Sequence, residues 1–129
     1  MHPNSQGGTV HYSNAGTNTL TQVTNEPIRL NSISVDYSGG ATTVAFLQVY
    51  NNGTADIAEP GTGKTFALAV YSGTAGAGTP SLAAHRDVNY GPNGIRFDNG
   101  LSYMWSTSET GTGAVTGNAR VMIVADKIG

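Results

Sequence analysis

Ile28-Arg29-Leu30-Asn31-Ser32-Ile33-Ser34-Val35-Asp36-Tyr37 is the stretch that decides the fold. Its second half alternates, with Ile33, Val35 and Tyr37 set between Ser32, Ser34 and Asp36, the period of two of a half-buried β-strand. Ile28 and Leu30 fall on the opposite phase. A slip of one residue turns every following side chain to the other face of a sheet. The two halves therefore share a core only if a β-bulge lies near Asn31-Ser32. Ser38-Gly39-Gly40 then supplies a turn.

Toward the C-terminus, residues 42–51 read as a central strand. Ala45, Leu47 and Val49 occupy one face and Val44, Phe46 and Tyr50 the other, so both faces are expected to be at least partly covered. Phe66-Ala67-Leu68-Ala69-Val70-Tyr71 is another strand, followed by the glycine-rich residues 72–80, the best candidate for a mobile exposed loop. Between Ile95 and Trp105 the sequence predicts a hairpin. A three-residue loop, Asp98-Asn99-Gly100, with Gly100 left-handed, pairs Phe97 with Leu101 and Ile95 with Tyr103 and so matches apolar faces. After a neutral glycine-rich loop over 109–118, Val121, Ile123 and Ala125 face one way in a last strand, Met122 and Val124 the other.

Toward the N-terminus the chain becomes polar and turn-rich. Thr9-Val10-His11-Tyr12 and Leu20-Thr21-Gln22-Val23-Thr24 are its only candidate strands. The expected organisation is residues 1–27 as a polar N-terminal arm or edge segment and residues 28–129 as a β-sandwich domain. No stretch carries helical spacing of apolar residues over ten or more positions. About seven or eight short strands with loops of unequal length predict an all-β, antiparallel sandwich, jelly-roll-like in its crossings.

Composition narrows the function classes. Among 129 residues, 38% are apolar and only 11% charged, against about 25% charged in an average domain. Glycine, threonine, asparagine and serine fill the difference, which predicts a neutral surface of hydroxyls, amides and backbone. The apolar residues are gathered into dense runs such as 44–50 and 120–125, which argues for a folded chain over a disordered one. The six scattered cations and a net charge of −2 give no footprint for nucleic acid and no polybasic patch for anionic lipid. Cysteine is absent, so neither disulfides nor thiolate metal sites are available. The first residues lack the basic and apolar regions of a signal peptide, and a product of the cytoplasm is expected.

Each apparent motif lacks a necessary part. Gly61-Thr62-Gly63-Lys64-Thr65 would need a glycine at Ala58 and a following helix to cradle phosphates. His85-Arg86-Asp87 matches the start of a kinase catalytic loop without the rest of a kinase, and is expected to be a polar strand end or contact surface. His2, His11 and His85 lack metal-ligand spacing, and no Gly-x-Ser-x-Gly turn marks a nucleophile. Asn52-Gly53-Thr54 is a glycosylation acceptor pattern with no export signal before it. Trp105, Tyr103, Tyr90, Tyr71 and Tyr50 form either a sugar-binding platform or core, and core is favoured because Tyr103 and Trp105 share the face of Leu101.

Three segments together carry a likeness: Ile33-Ser34-Val35-Asp36-Tyr37-Ser38-Gly39-Gly40, Phe46-Leu47-Gln48-Val49-Tyr50-Asn51 and Ile95-Arg96-Phe97-Asp98-Asn99-Gly100-Leu101-Ser102-Tyr103. In this pattern of strands and turns, over residues 28–125, the chain resembles small jelly-roll virion proteins of tailed bacteriophages, the capsid decoration or cement proteins. The resemblance implies a structural protein that binds the outside of a capsid as a homo-oligomer, a trimer being favoured, with the major capsid protein as partner. It implies no enzyme activity, and no catalytic, cofactor-binding or metal-binding residue is assigned. Neither nucleic acid nor membrane is expected as a partner. The alternative is a carbohydrate-binding module or receptor-binding fibre tip.

Overall fold

In the computed structural model, residues 8–13, 20–39, 44–53, 63–71, 85–115 and 117–128 are described. They form two antiparallel sheets packed as a β-sandwich, with no helix among them. The strands are β1 (Gly8–Ser13), β2 (Thr21–Thr24), β3 (Ile28–Gly39), β4 (Val44–Tyr50), β5 (Phe66–Tyr71), β6 (His85–Asn89), β7 (Ile95–Phe97), β8 (Leu101–Ser106) and β9 (Gly117–Lys127). Sheet one has the order β1-β9-β3-β6, with β7 also pairing β3, and sheet two the order β2-β8-β4-β5. Nearly every successive strand changes sheet, an order compatible with a jelly roll. Both candidate strands of the N-terminal segment are present, and both lie at sheet edges. The glycine-rich residues 72–80 and His2 lie outside the described residues.

The bulge sits where the alternating pattern requires it. Leu30 pairs with Ala125 and Ser32 with Val124, so Asn31 is the extra residue on β3. Ile28 and Leu30 before it, and Ile33, Val35 and Tyr37 after it, are all buried in one core. The bulge also breaks the far edge of the sheet. Asn89 of β6 pairs with Ser32, Ile95 of β7 pairs with Leu30, and residues 90–94 loop out between them. The freed carbonyl of Asn31 accepts the Tyr90 N–H at 2.8 Å. Gly94, at φ +61°, passes so close that a Cβ would stand 2.6 Å from the Leu30 oxygen.

The expected hairpin is corrected. Gly100 is left-handed, with φ +98°. However, β7 pairs with Ile28–Leu30 in sheet one while β8 pairs with β2 and β4 in sheet two. Phe97 and Leu101 share a core by facing each other's sheet across it, so the turn carries the chain from one sheet to the other. Apolar matching is satisfied equally by both arrangements, which is why it could not choose between them.

Inward side chains from both sheets fill the sandwich, led by Trp105, Tyr37, Tyr103 and Phe97, all at most 1% exposed. Burying each large apolar side chain stabilises by about 1.5–3 kcal/mol, which is how a chain so rich in glycine and threonine offsets its ordering entropy. β4 is covered on both faces, as its sequence predicts. On its outward side Gln48 and Tyr50 are buried, and beside them on β8 so are Ser102, Met104 and Ser106. Part of that cover is the loop after β8. The Gln48 amide donates to the Ser108 oxygen at 3.1 Å and the Gly111 oxygen at 2.9 Å, and the Ser106 hydroxyl donates to the same Gly111 oxygen. The Tyr50 hydroxyl donates to Gln48 Oε1.

Candidate interaction surface

The outward face of sheet one is built from alternate residues of its four long strands, and the registers place them in rows across the sheet. One row holds Tyr12, Met122, Ser34 and Asp87, and the next holds Val10, Val124, Ser32 and Asn89. These two rows are apolar on β1 and β9 and polar on β3 and β6. Val10 is 62% exposed, Tyr12 59% and Met122 39%. Beyond the first row lie Arg120, Asp36 and His85, and beyond the second Asp126 and Arg29. Charged groups thus flank an apolar centre at both ends of the strands.

Burial of β1 inverts what its composition suggests, since Val10 and Tyr12 face solvent while His11 and Ser13 are half-buried. His11 Nε2 and the Tyr103 hydroxyl share a hydrogen bond of 2.9 Å, with the rings edge-on at 5.4 Å. Burial lowers the His11 pKa, which keeps the ring neutral, and burial raises that of Tyr103 against opposing hydrogen bonds from Ser13 and Thr21. A polar bridge therefore ties the β1 edge to sheet two, and Val10 and Tyr12 are left outside by register.

His85, Arg86 and Asp87 lie on β6, the opposite edge of sheet one. His85 Nδ1 meets Asp36 Oδ1 at 2.5 Å and its Nε2 meets Asp87 Oδ2 at 2.9 Å. The hydrogen bond to Asp36, then that to Asp87, raises the His85 pKa. A hydrogen bond from Ser34, then one from His85, lowers that of Asp87. The two carboxylates occupy opposite ring nitrogens, so they cannot converge on one ion. With both nitrogens engaged by acids, Ser34 bonds to Asp87 and the imidazole does not activate it, so a Ser-His-Asp relay is not assembled here. Arg86 points inward on the same strand and donates to the Ala69 oxygen of β5 at 3.0 Å, bridging the sheets. Charges on an edge strand, one of them directed inward, discourage further strand pairing. That accounts for the kinase-like tripeptide as edge protection.

Other candidates resolve in the same way. Lys64 and Thr65 lead directly into β5, a strand, and the Thr65 N–H donates to the Val49 oxygen at 2.7 Å. Trp105, Tyr103 and Tyr50 are buried, and Tyr90 packs tilted against Phe66 with ring centroids 5.9 Å apart, so these rings do not form an exposed platform. The Tyr71 side chain lies outside the described residues. Among the described residues, no three His, Asp or Glu groups gather as metal ligands, and no helix is long and apolar enough to cross a membrane. An open polar cleft of about 450 Å³ lies at the bulge, lined by Asn31, Asn89, Gly91, Pro92 and Asp126. Within it the Asn31 amide donates to Asp126 Oδ2 at 2.8 Å and Asn89 Oδ1 accepts the Gly91 N–H at 2.7 Å, so its polar groups chiefly hold the bulge and its loop.

The β6 triplet and the aromatic core are legible in the sequence, whereas the apolar strip is hidden because Val10 and Tyr12 sit within a polar segment. Their alternation with His11 was the available signal. No protein-family model matches the chain, and no curated protein sequence matches it.

Proposed function

We propose that the chain is a structural virion protein that binds the outside of a bacteriophage capsid as an oligomer and stabilises the shell. On this reading it is made in the host cytoplasm, resides on the capsid surface and has the major capsid protein as its partner. The observation that carries the reading is the open outward face of sheet one, where Val10, Tyr12 and Met122 stay exposed while the centre of the outward side of sheet two, from Gln48 and Tyr50 to Ser102, Met104 and Ser106, is buried. A contiguous apolar strip on a soluble sandwich marks a contact surface. Ser32 and Ser34 beside it cost little to desolvate, and the charged residues stand at the margins of the strip, where a contact leaves them hydrated. The likeness of three segments to capsid decoration proteins supplies the identity of the partner.

Purified particles and purified chain test this directly. The chain is expected to co-purify with intact particles at a fixed ratio to the shell protein. Added back to particles lacking it, it is expected to bind and raise their resistance to heat. Absence from particles, together with failure to bind intact shells that lack it, would overturn the reading.

A further inference from the structure

We infer that the outward face of sheet one is self-complementary and pairs two copies of this chain about a two-fold axis. The occupant follows from the distribution of charge. Along β9 the outward residues run Arg120, Met122, Val124, Asp126, positive to negative across an apolar centre. Along the neighbouring β3 they run Arg29, Ser32, Ser34, Asp36, and because the strands are antiparallel Asp36 lies beside Arg120 and Arg29 beside Asp126. On these two strands each end of the face carries one charge of each sign, with the order reversed between the ends; toward the far edge His85 pairs with Asp36 and Asp87 at one end, and Arg96, paired with Asp98, lies beside Arg29 at the other.

Two axes lying in the face satisfy these charges, and the apolar strip chooses between them. An axis parallel to the strands, between β9 and β3, sets Arg120 on the second copy's Asp36 but lays Tyr12 and Val10 on Asp87 and Asn89. An axis across the strands, between the rows of Met122 and Val124, sets β1 on β1 and β9 on β9. Tyr12 then covers Val10, Met122 covers Val124, Arg120 meets Asp126, and Asp36 meets Arg29. Only the second keeps apolar on apolar, so it is the axis assigned. Sheets stacked in this way cross at roughly 30° because each is twisted, a rotation that long arginine side chains can follow. Neither Arg29 nor Arg120 is in an ion pair within the chain among the described residues.

Four strands about 4.8 Å apart and seven residues at about 3.4 Å each give roughly 460 Å² per copy. Two copies together bury about 900 Å², just under the ~1,000 Å² of a stable specific interface, so weak, micromolar association is expected. The pairing covers the same strip that the virion reading gives to the capsid, so a chain held on a capsid through that strip is not paired, and its order of two departs from the trimer that the resemblance implies.

Sedimentation velocity of the full chain, from about 1 to 200 µM, gives the test. The wild-type chain is expected to pass from monomer to dimer within that range. Arg120→Asp and Asp126→Arg each set like charges opposite one another, and each is expected to weaken association by about tenfold or more. Mixed in equal amounts, the two variants are expected to form a heterodimer that neither forms with itself. Circular dichroism establishes that each is folded. Should Asp126→Arg unfold through loss of its bond to Asn31, Tyr12→Glu takes its place and is expected to be monomeric. A wild-type chain that stays monomeric throughout would overturn the pairing. So would an oligomer of any order that Arg120→Asp and Tyr12→Glu leave intact, or folded charge variants whose mixture stays monomeric.

Discussion

Met104 and Met122 are the same side chain on the outward faces of the two sheets, yet Met104 is 1% exposed and Met122 39%. Around Met104 the polar Gln48, Ser102 and Ser106 are fully buried, while around Met122 the apolar Val10 and Tyr12 stand in solvent. Side-chain polarity does not decide burial on these faces. What decides it is whether the chain returns to cover the sheet. On sheet two residues 107–113 fold back onto Gln48 and Ser106, forming part of the cover over the centre of that face. On sheet one no comparable cover lies over the strip among the described residues, and its apolar side chains remain available to another molecule.

Substitutions on the two faces should therefore separate stability from association. The largest expected effect is Met104→Ala, a buried truncation that should cost about 2–5 kcal/mol in urea unfolding and leave oligomer order unchanged. Gln48→Ala removes the amide that holds the covering loop and the acceptor of the Tyr50 hydroxyl, and should cost about 1–3 kcal/mol. Hydrogen exchange of the amides in residues 107–113 should rise with it. A Gln48→Ala protein as stable as wild type would mean that the loop is not held by these bonds.

The two edges of sheet one offer a finer contrast, because their histidines titrate with opposite sign. The His85 pKa is raised above its ordinary 6.5, so its contribution is fully present below that value and is lost as pH rises through the raised one. Asp87, lowered from 3.8, contributes above that value and loses its share as pH falls through the lowered one. His11 is lowered from 6.5, so its contribution is present above 6.5 and is lost as pH falls. Between about pH 5 and 8, exchange protection corrected for intrinsic rate should fall with rising pH in β6 and rise in β1. Asp36→Asn should flatten the β6 profile and leave that of β1 unchanged. Profiles of the same sign at both edges would contradict the contrast. The smallest effect on stability is expected for Met122→Ala, within about 0.5 kcal/mol of wild type in urea, while its association weakens measurably.

Much of this architecture is legible in the sequence, for local reasons. The bulge could be placed at Asn31-Ser32 because two apolar phases in one strand leave no other way to share a core. The left-handed Gly100 could be expected because turn chemistry is local. The partner of β7 could not, since pairing is a long-range choice and Phe97 buries itself equally well beside Leu101 or across from it. The outward face of β8 was illegible for a related reason. Ser102 and Ser106 look like solvent-facing positions until a later segment covers them. The open face needed both β1 and β9 in register before Val10 and Tyr12 could be seen beside Met122 and Val124.

The most direct test of an open face that receives another molecule is hydroxyl-radical footprinting of the purified chain, with Met104 and Met122 read in the same sample. Met104 should be unreactive at every concentration. Met122 and Tyr12 should react readily in dilute protein and become protected as concentration rises through the micromolar range. Oxidation of Met122 that does not change with concentration, or that is as low as Met104 in dilute protein, would contradict the account.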